Sequence, residues 1–276
     1  MNLKYLLPRL LRHFLPDEAA RFLLRHGLII HPGPETSDPR AASERYCAVL
    51  EKSDIALAKK RVMLFGYGGN FAVGMELLRQ GAAHVVLCDK YAPPNDRLNR
   101  TLLPAYSKFL YEGRGHILPN PEWITLFQED IRAVEAEAGI SPVDIVMSSS
   151  VFEHLPNEDM QSIVQSLARL TKPEGIHIHF IDLRDHFFRY PFEMLTFSEQ
   201  AWRRWLNPTS NLNRCRLSDY ARLFNEAFRR VHVIILEQDL AAFEKARPHI
   251  QPAFLTGKAE SDAVTQILVL AVNPLT

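Results

Sequence analysis

Residues 61–70 read RVMLFGYGGN, an apolar run that ends in a cluster of glycines. The run Val62–Phe65 predicts a short buried strand, and the glycines predict a sharp turn into a helix. Gly66 and Gly68 let the backbone turn and let a ligand approach without striking a Cβ atom. The N-terminus of the next helix has free N–H groups and a positive dipole end, which suit a carboxylate or phosphate. The stretch predicts a ligand-binding strand–turn–helix unit, with a purely structural tight turn as the alternative.

Short apolar runs alternate with helical patterns after this turn, which is typical of a mainly parallel sheet with crossover helices. Strands are predicted at Val62–Phe65, His84–Cys88, Ile124–Phe127, Asp144–Met147, Ile176–Ile181, Val231–Leu236 and Gln266–Val272. Helices are predicted to begin near Asn70, Asn95, Ile131, Asn157 and Leu217. Residues 243–259 contain two prolines and are predicted to be mostly loop, so the last strand is expected to be antiparallel. We therefore predict a doubly wound α/β fold with a seven-stranded sheet, mainly parallel and with an antiparallel last strand.

The N-terminal part of the chain is predicted to form a helical cap and a lead-in helix over residues 1–59, before an α/β domain over residues 60–276. Residues 3–15 are rich in leucine but are interrupted by charged residues and a proline, so they are too short and too polar to span a bilayer. A helix packed on the domain is the favoured interpretation, and a basic amphipathic helix on a membrane surface is the alternative. Residues 31–39 are predicted to form a loop, and residues 41–58 the lead-in helix.

The composition excludes some classes of partner. The 32 basic residues balance the 32 acidic ones, whereas a protein that binds nucleic acid normally shows a basic excess or a concentrated basic face. The three cysteines lie far apart and are odd in number, so neither a disulfide framework nor a metal-ligand spacing is present in the sequence. We predict a protein of the reducing cytoplasm with no transmembrane segment and no nucleic acid partner.

Two acidic residues follow predicted strands. Asp89 ends the second strand about twenty residues after the glycines, where a carboxylate can accept hydrogen bonds from both hydroxyls of a ribose. Asp130 ends the third strand and could meet an adenine amino group, while a helix cap is an equally open role for it. Phe71 stands where a dinucleotide fingerprint requires a third small residue, so NAD and FAD are disfavoured.

The fourth predicted strand continues into the segment Ser149-Ser150-Val151-Phe152-Glu153-His154-Leu155. Residues 61–183 resemble class I, S-adenosylmethionine-dependent methyltransferases, in particular the small-molecule branch with a Ser-x-x-x-Glu-His-Leu segment here and a Leu-x-Lys-Pro-x-Gly approach to strand five, at residues 170–175. The resemblance implies that the glycines line the methionine part of S-adenosylmethionine, Asp89 the ribose and Asp130 the adenine. The candidate cofactor-binding residues are Gly66, Tyr67, Gly68, Asn70, Asp89, Asp130 and Ser149.

Two positions depart from the pattern of the family. Such enzymes usually have an acidic residue where this chain has Leu64, and a third glycine where it has Asn70. Loss of the acid removes a common partner of the cofactor's ammonium group. A catalytically silent, methyltransferase-like binding or scaffold protein is therefore the alternative to an enzyme.

Methyl transfer from a sulfonium requires that the nucleophile is aligned with the methyl group and, for oxygen or nitrogen nucleophiles, often that a base accepts a proton. The candidate bases follow strands four and five; they are His154, Asp182, Asp185 and His186. A structural role is the alternative for His154, and a solvated loop is the alternative for Asp185 and His186. No metal is predicted, although His177 and His179 are expected to project to the same face of their strand.

Residues 184–216 form a connection that a minimal methyltransferase lacks, and they are rich in aromatic residues and arginine. The segment resembles a group of bacterial methyltransferases associated with sugar or secondary-metabolite assembly. We predict that it is a lid over a small-molecule acceptor such as a sugar or secondary-metabolite intermediate, with Arg214 and Arg216 binding an anionic group. The alternative is a hydrophobic lid that these arginines merely fasten to the domain.

Overall fold

A computed structural model describes residues 3–14, 38–137, 140–185, 190–207 and 212–275. The loop predicted at residues 31–39 lies outside these ranges except for its last two residues, and the candidate base His186 lies outside them as well.

The fold has one large sheet and a separate hairpin. The strands are β1 (Arg61–Phe65), β2 (His84–Cys88), β3 (Leu110–Gly113), β4 (His116–Pro119), β5 (Ile124–Phe127), β6 (Val143–Ser149), β7 (Thr171–Asp182), β8 (Phe228–Gln238) and β9 (Val264–Pro274). The helices are α1 (Leu3–His13), α2 (Pro39–Lys52), α3 (Ala72–Arg79), α4 (Asp96–Arg100), α5 (Leu103–Tyr106), α6 (Ile131–Ala136), α7 (Asn157–Arg169), α8 (Glu199–Ala201), α9 (Leu217–Asn225), α10 (Leu240–Ala246) and α11 (Ala259–Asp262). A π-helical turn at Trp202–Leu206 follows α8 directly.

The large sheet has seven strands in the order β5-β2-β1-β6-β7-β9-β8. The pairs from β5 to β7 are parallel, and β9 is antiparallel to both β7 and β8. The prediction of a mainly parallel seven-stranded sheet with an antiparallel last strand is thus confirmed. The order of the strands reverses at β1, so the carboxyl ends of β1, β2, β5 and β6 lie along one edge on either side of this switch point, where open α/β sheets bind ligands.

Both faces of the sheet are covered by apolar clusters. One cluster joins Met63, Val86 and Val146 to α7 and α9, and the other joins Leu64, Val85 and Ile145 to α2 and α3. Because both faces are buried, the central strands are apolar almost throughout rather than alternating. This continuous apolar character made the strands recognisable in the sequence.

The β3–β4 hairpin was not predicted. Its two-residue turn consists of Arg114 at φ 53° and Gly115 at φ 82°, the positive values that a tight type I′ hairpin turn requires. Asparagine or aspartate before the glycine is the usual signal for this turn, and arginine gives none. The lead-in helix is also shorter than predicted and ends at Lys52 rather than near residue 58.

The N-terminal helix α1 packs on the protein. Tyr5 is fully buried in a third apolar cluster, which includes Phe192, Trp202 and Phe243. The division of the chain into a cap of residues 1–59 and a domain of residues 60–276 remains a prediction. Within the ranges that the structure describes, no helix is both long enough and apolar enough to cross a membrane.

Candidate active site

The glycine turn after β1 adopts backbone angles that favour glycine at three positions. Gly66, Gly68 and Gly69 have φ values of 77°, 68° and 79°. A Cβ atom at Gly66 would lie 2.3 Å from Val151, and one at Gly69 would lie 2.4 Å from the carbonyl oxygen of Pro93. A Cβ atom at Gly68 would meet no other atom within 4 Å. Protein packing therefore requires Gly66 and Gly69, whereas Gly68 leaves an open space at the surface of the turn.

That open space belongs to a cleft of about 280 Å³ at the carboxyl edge of the sheet. The cleft brings together candidate residues from the ends of β1, β2, β5 and β6. The candidates among its lining residues are Gly66, Gly68, Asp89, Asp130 and His154. Four turns that are distant in sequence thus meet in one place, as the strand order requires.

Asp89 ties the glycine turn to the loop after β2. Its Oδ2 accepts a hydrogen bond from Gly68 N at 3.0 Å, and its Oδ1 accepts bonds from Tyr91 N and Ala92 N, both at 2.8 Å. A carboxylate oxygen can accept about two hydrogen bonds, so Oδ2 retains acceptor capacity toward the cleft. The arrangement fixes the carboxylate and leaves room for a hydroxyl donor.

Asp130 is the N-cap of α6, and its carboxylate accepts four hydrogen bonds. Its Oδ1 accepts from Arg132 N and Nε, and its Oδ2 accepts from Arg132 Nη2 at 2.6 Å and Lys90 Nζ at 3.0 Å. Hydrogen bonding to Arg132 holds the pKa of this carboxyl well below its usual range. Its four acceptor positions are occupied in this conformation, so an adenine amino group could bind only if a partner such as Lys90 moved.

The remaining cofactor candidates lie beside the cleft rather than along it. Asn70 Oδ1 accepts a hydrogen bond from Ala72 N at 3.0 Å and so supports the start of α3. The Tyr67 side chain stacks on Phe71 at 5.9 Å between ring centroids, and its buried hydroxyl has no hydrogen-bond partner among the described residues. Burial raises the pKa of Tyr67 above its ordinary value.

Ser149, at the end of β6, is joined to a residue that the sequence analysis missed. Arg45 of α2 donates from Nη2 to Ser149 Oγ at 2.9 Å, and its guanidinium lies 3.9 Å above the ring of Phe180. This contact spans 104 residues of sequence, and nothing in the local pattern around Arg45 distinguishes it from an exposed helix residue. It places a positive charge at the carboxyl end of β6.

Leu64 is buried in the core, with 4% of its surface exposed. Its side chain faces α3, and a Cβ atom at Gly74 would lie 3.8 Å from Leu64 Cδ1. An acid at this position would face an apolar cluster, which explains the apolar residue here. Any partner of a bound ammonium group must come from elsewhere in the site.

Ser150 and His154 form the wall of the cleft that follows β6. Ser150 has φ 54°, a left-handed conformation that costs a residue with a side chain of the order of 1 kcal/mol or more, and such strain concentrates at functional sites. His154 ends a short 3₁₀ turn, Phe152–His154, and lines the cleft.

Neither Asp182 nor Asp185 is among the described residues that line this cleft. Asp182 accepts hydrogen bonds from Arg184 N, Nε and Nη2, the last at 2.7 Å. Asp185 is 1% exposed; its Oδ2 accepts from Arg9 Nη2 at 2.5 Å and from the hydroxyl of Tyr5. Asp185 therefore connects the loop after β7 to α1 through Arg9 and Tyr5.

We predict that Asp185→Asn destabilises the protein without weakening cofactor binding. The change leaves Arg9 buried with only its other contacts, and removing one partner of a buried ion pair costs about 3–5 kcal/mol. Guanidinium unfolding measures the loss. Glu44→Gln is the matched control, because its ion pair with Arg40 is exposed and contributes little. Unchanged stability of Asp185→Asn would show that the carboxylate does not anchor α1.

The two arginines at the end of the 184–216 segment are also held by backbone. Arg214 donates to the carbonyl oxygens of Met194 and Phe197 and pairs with Glu199. Arg216 donates to the carbonyl oxygens of Leu183, Asp262 and Val264. Both side chains are buried, so these contacts support the alternative in which they fasten the segment to the domain.

The two histidines of β7 lie on one face, as expected, and are fully buried. Thr171 Oγ1 donates to Leu167 O at 2.7 Å, so it accepts from His177 Nε2 at 2.8 Å. His177 Nδ1 then accepts from His179 Nε2 at 3.2 Å, and His179 Nδ1 from Ser148 Oγ at 2.7 Å. Each ring thus donates once and accepts once as a neutral imidazole. Among the residues described, no three His, Cys, Asp or Glu side chains are grouped to hold a metal ion.

Residues 69–179 match the family model described as a methyltransferase domain. No curated protein sequence matches the chain. Among solved structures, the chain is similar to a candidate sarcosine dimethylglycine methyltransferase from Galdieria sulphuraria, with 12% identity, a TM-score of 0.51, and 94% of this chain and 98% of that one covered. It is also similar to the CMeT domain of the citrinin polyketide synthase, with 10% identity, a TM-score of 0.50, and 96% of this chain and 59% of that one covered.

A third solved structure is that of magnesium protoporphyrin IX methyltransferase from Synechocystis PCC 6803 with bound SAH, which has 14% identity and a TM-score of 0.49, with 92% of this chain and 94% of that one covered. At identities this low, the TM-scores of 0.51 and 0.50 show a shared fold alone, and the family model adds the methyltransferase assignment for the residues from the glycine turn to β7. Residues 69–179 are thus a methyltransferase domain on the α/β fold of methyltransferases, and the methyl donor that such a domain implies is S-adenosylmethionine.

Proposed function

We propose that this enzyme transfers a methyl group to a small-molecule acceptor bound at the carboxyl edge of β6 and β7, beside residues 190–207 and 212–216. The observation that carries the proposal is that Gly68, Asp89 and His154 line one cleft, with open space above Gly68. The cofactor fits these residues: the turn without a side chain admits it, and Asp89 retains an acceptor for a ribose hydroxyl.

Asp89 and Arg45 would hold opposite ends of the cofactor. Asp89 Oδ2 accepts a ribose hydroxyl, since its bond from Gly68 N uses only part of its capacity. Arg45 pairs with the carboxylate of the methionine part, because its guanidinium lies at Ser149 and its buried Nε has no acceptor among the described residues. This charge contributes to binding at a site where the usual acid is replaced by Leu64.

S-adenosylmethionine supplies, when bound, a methyl group that is electrophilic enough for in-line displacement. The residues of this chain then have to orient the acceptor, exclude water and receive a proton. His154 is the base that we assign, because it is the one histidine among the described lining residues of the cleft and its ordinary pKa is near neutrality. It accepts the proton that an oxygen or nitrogen acceptor loses as the new bond to carbon forms.

The acceptor would enter through a polar groove of about 160 Å³ that adjoins the cleft. Leu155 and Pro156 line both spaces. The far wall comes from Trp202, Arg203 and Asn213 of the 184–216 segment. An aromatic ring between hydrogen-bonding groups suits a small polar molecule and leaves no room for a folded macromolecule.

We predict that two variants and two ligands together test the cofactor assignment. Arg45→Met should weaken S-adenosylhomocysteine about tenfold or more, the usual order for a charge-assisted contact, and should leave 5′-methylthioadenosine unaffected because that ligand lacks the carboxylate. Asp89→Asn should weaken both ligands by about 1–3 kcal/mol, since both carry the ribose. Calorimetry measures all four affinities. Equal losses for the two ligands in Arg45→Met would refute the carboxylate assignment.

The acceptor class is tested by turnover with S-adenosylmethionine that carries a deuterated methyl group. Small-molecule extract, total protein and total RNA are supplied separately, and mass spectrometry locates the label. We expect label in the small-molecule fraction with the native enzyme, and an at least tenfold lower rate with His154→Gln. Label confined to protein or RNA would overturn the proposed acceptor class while leaving the cofactor site intact.

A further inference from the structure

The outer strand β8 has an open edge. It ends the sheet order, and its only ladder is the antiparallel one with β9. No other strand in the described ranges pairs with its free side, and eight of its eleven residues are exposed. A free edge presents a row of unpaired N–H and C=O groups that templates pairing with another strand.

The centre of β8 lacks the usual protection of such an edge. The strand reads FRRVHVIILEQ, without proline or lysine, and its centre is an apolar run. Ile234, Ile235 and Leu236 are 42%, 44% and 42% exposed, an unusual row of large apolar side chains for solvent. One protective device is present: the ladder with β9 is irregular after Ile235, at the far end of the strand.

We propose that β8 pairs with β8 of a second copy, in an antiparallel register centred on Val233. A two-fold axis perpendicular to the sheet keeps each side chain on its own face, so two paired residues must lie on the same face of the sheet. In the regular part of β8, up to Ile235, residues on the same face are an even number of positions apart. Centring on Val233 sets Val231 opposite Ile235 and His232 opposite Ile234. The apolar centre of β8 in each copy thereby covers the apolar centre of β8 in the other.

Charge complementarity selects this register and a second copy as the partner. The positive residues lie at the start of β8 and the acid lies near its end, so antiparallel pairing opposes them. Because the bulge at residue 236 turns Glu237 to the face of Arg230, Arg230 lies opposite Glu237 of the second copy in the proposed register, and the symmetry repeats the pair. Both side chains are exposed, and Glu237 has only a loose contact with Arg184, at 3.4 Å. Opposite charges on facing positions stabilise a strand pair.

The first test is the mass of the native enzyme in solution, measured by sedimentation at micromolar concentration. Two copies of the 31.6 kDa chain give a dimer of twice that mass. We expect Arg230→Glu alone and Glu237→Arg alone each to raise the dimer dissociation constant at least tenfold, and the double exchange to restore it. Arg97→Glu is the control, because Arg97 is exposed and belongs to α4 rather than to β8. A native monomer would overturn the proposal, as would a dimer indifferent to both reversals.

The second test fixes the register by disulfide formation. Val233→Cys faces its own copy across the axis, at a Cα separation within the range that a disulfide spans. Val231→Cys lies on the same face of β8 and is equally half-buried, but its copy is displaced by four residues, or about 14 Å along the strand. In a background with Cys47→Ser and Cys215→Ser, we expect Val233→Cys to cross-link and Val231→Cys not to. The reverse result, or no cross-link at either position, would exclude this register.

Discussion

Gly68→Leu is expected to abolish measurable binding of S-adenosylmethionine, raising its dissociation constant at least about a hundredfold, or some 2.7 kcal/mol. Gly68 is the glycine of the turn that no neighbouring atom forces to lack a side chain, since a Cβ atom would meet nothing within 4 Å. The space that such a side chain would fill is the cleft itself. Titration calorimetry with S-adenosylhomocysteine measures the loss.

Backbone strain has to be separated from the filling of the cleft. Gly68 has φ 68°, so any side chain there also carries the cost of a left-handed conformation. Gly257 is the matched control: it has φ 84°, a Cβ atom there would likewise meet nothing within 4 Å, and it lies outside the cleft. Gly257→Leu should lose similar stability and keep full affinity. If both variants bind the cofactor normally, the open space above Gly68 is not the cofactor's place.

Most of the fold could be predicted because the sheet is covered on both faces. The apolar runs of β2 and β5 were predicted with the bounds that the structure has, and the missing crossover helix before β9 predicted an antiparallel last strand. The β3–β4 hairpin was missed because it lies outside the sheet and its turn has arginine before glycine. Periodicity reflects burial, and only Leu110 and Ile117 of this hairpin are buried.

The site was predictable only where a residue's role depends on its place at the end of a strand. Asp89 and His154 follow β2 and β6, so the strand pattern brought them to one edge. Arg45 could not be found in this way, because its partner Ser149 is 104 residues distant. Asp185 follows β7 closely, yet the structure joins it to Arg9, 176 residues earlier in the chain. Whether such a residue belongs to the site depends on side-chain contacts between distant parts of the chain, and the local sequence does not encode these contacts.

The pH dependence of stability should depend largely on the two buried histidines of β7. Full burial lowers the pKa of His179 from 6.5 to about 3, and burial beside His179 lowers the pKa of His177 well below its ordinary value. A histidine whose pKa is depressed by folding binds a proton more readily in the unfolded chain. Stability is therefore complete above the unfolded pKa of about 6.5 and is lost as the pH falls below it, toward the folded pKa.

We expect the free energy of unfolding to fall by about 4 kcal/mol between pH 7.5 and pH 5, about 2 kcal/mol for each histidine, a large part of a typical total of about 5–15 kcal/mol. Guanidinium unfolding at a series of pH values measures the slope of the free energy of unfolding against pH. This slope can be compared between variants even when one of them is less stable at every pH. In His179→Gln the amide can still donate one hydrogen bond and accept another, as the neutral imidazole does toward His177 and Ser148. Because the variant has one titrating histidine fewer, the loss of unfolding free energy should shrink by about half. His249→Gln removes an exposed histidine instead and should leave the slope unchanged. A native slope near zero over this range would mean that His177 and His179 are protonated in the folded protein. The chain of hydrogen bonds from Ser148 to Thr171 does not allow this, because each imidazole ring must keep one unprotonated nitrogen as an acceptor.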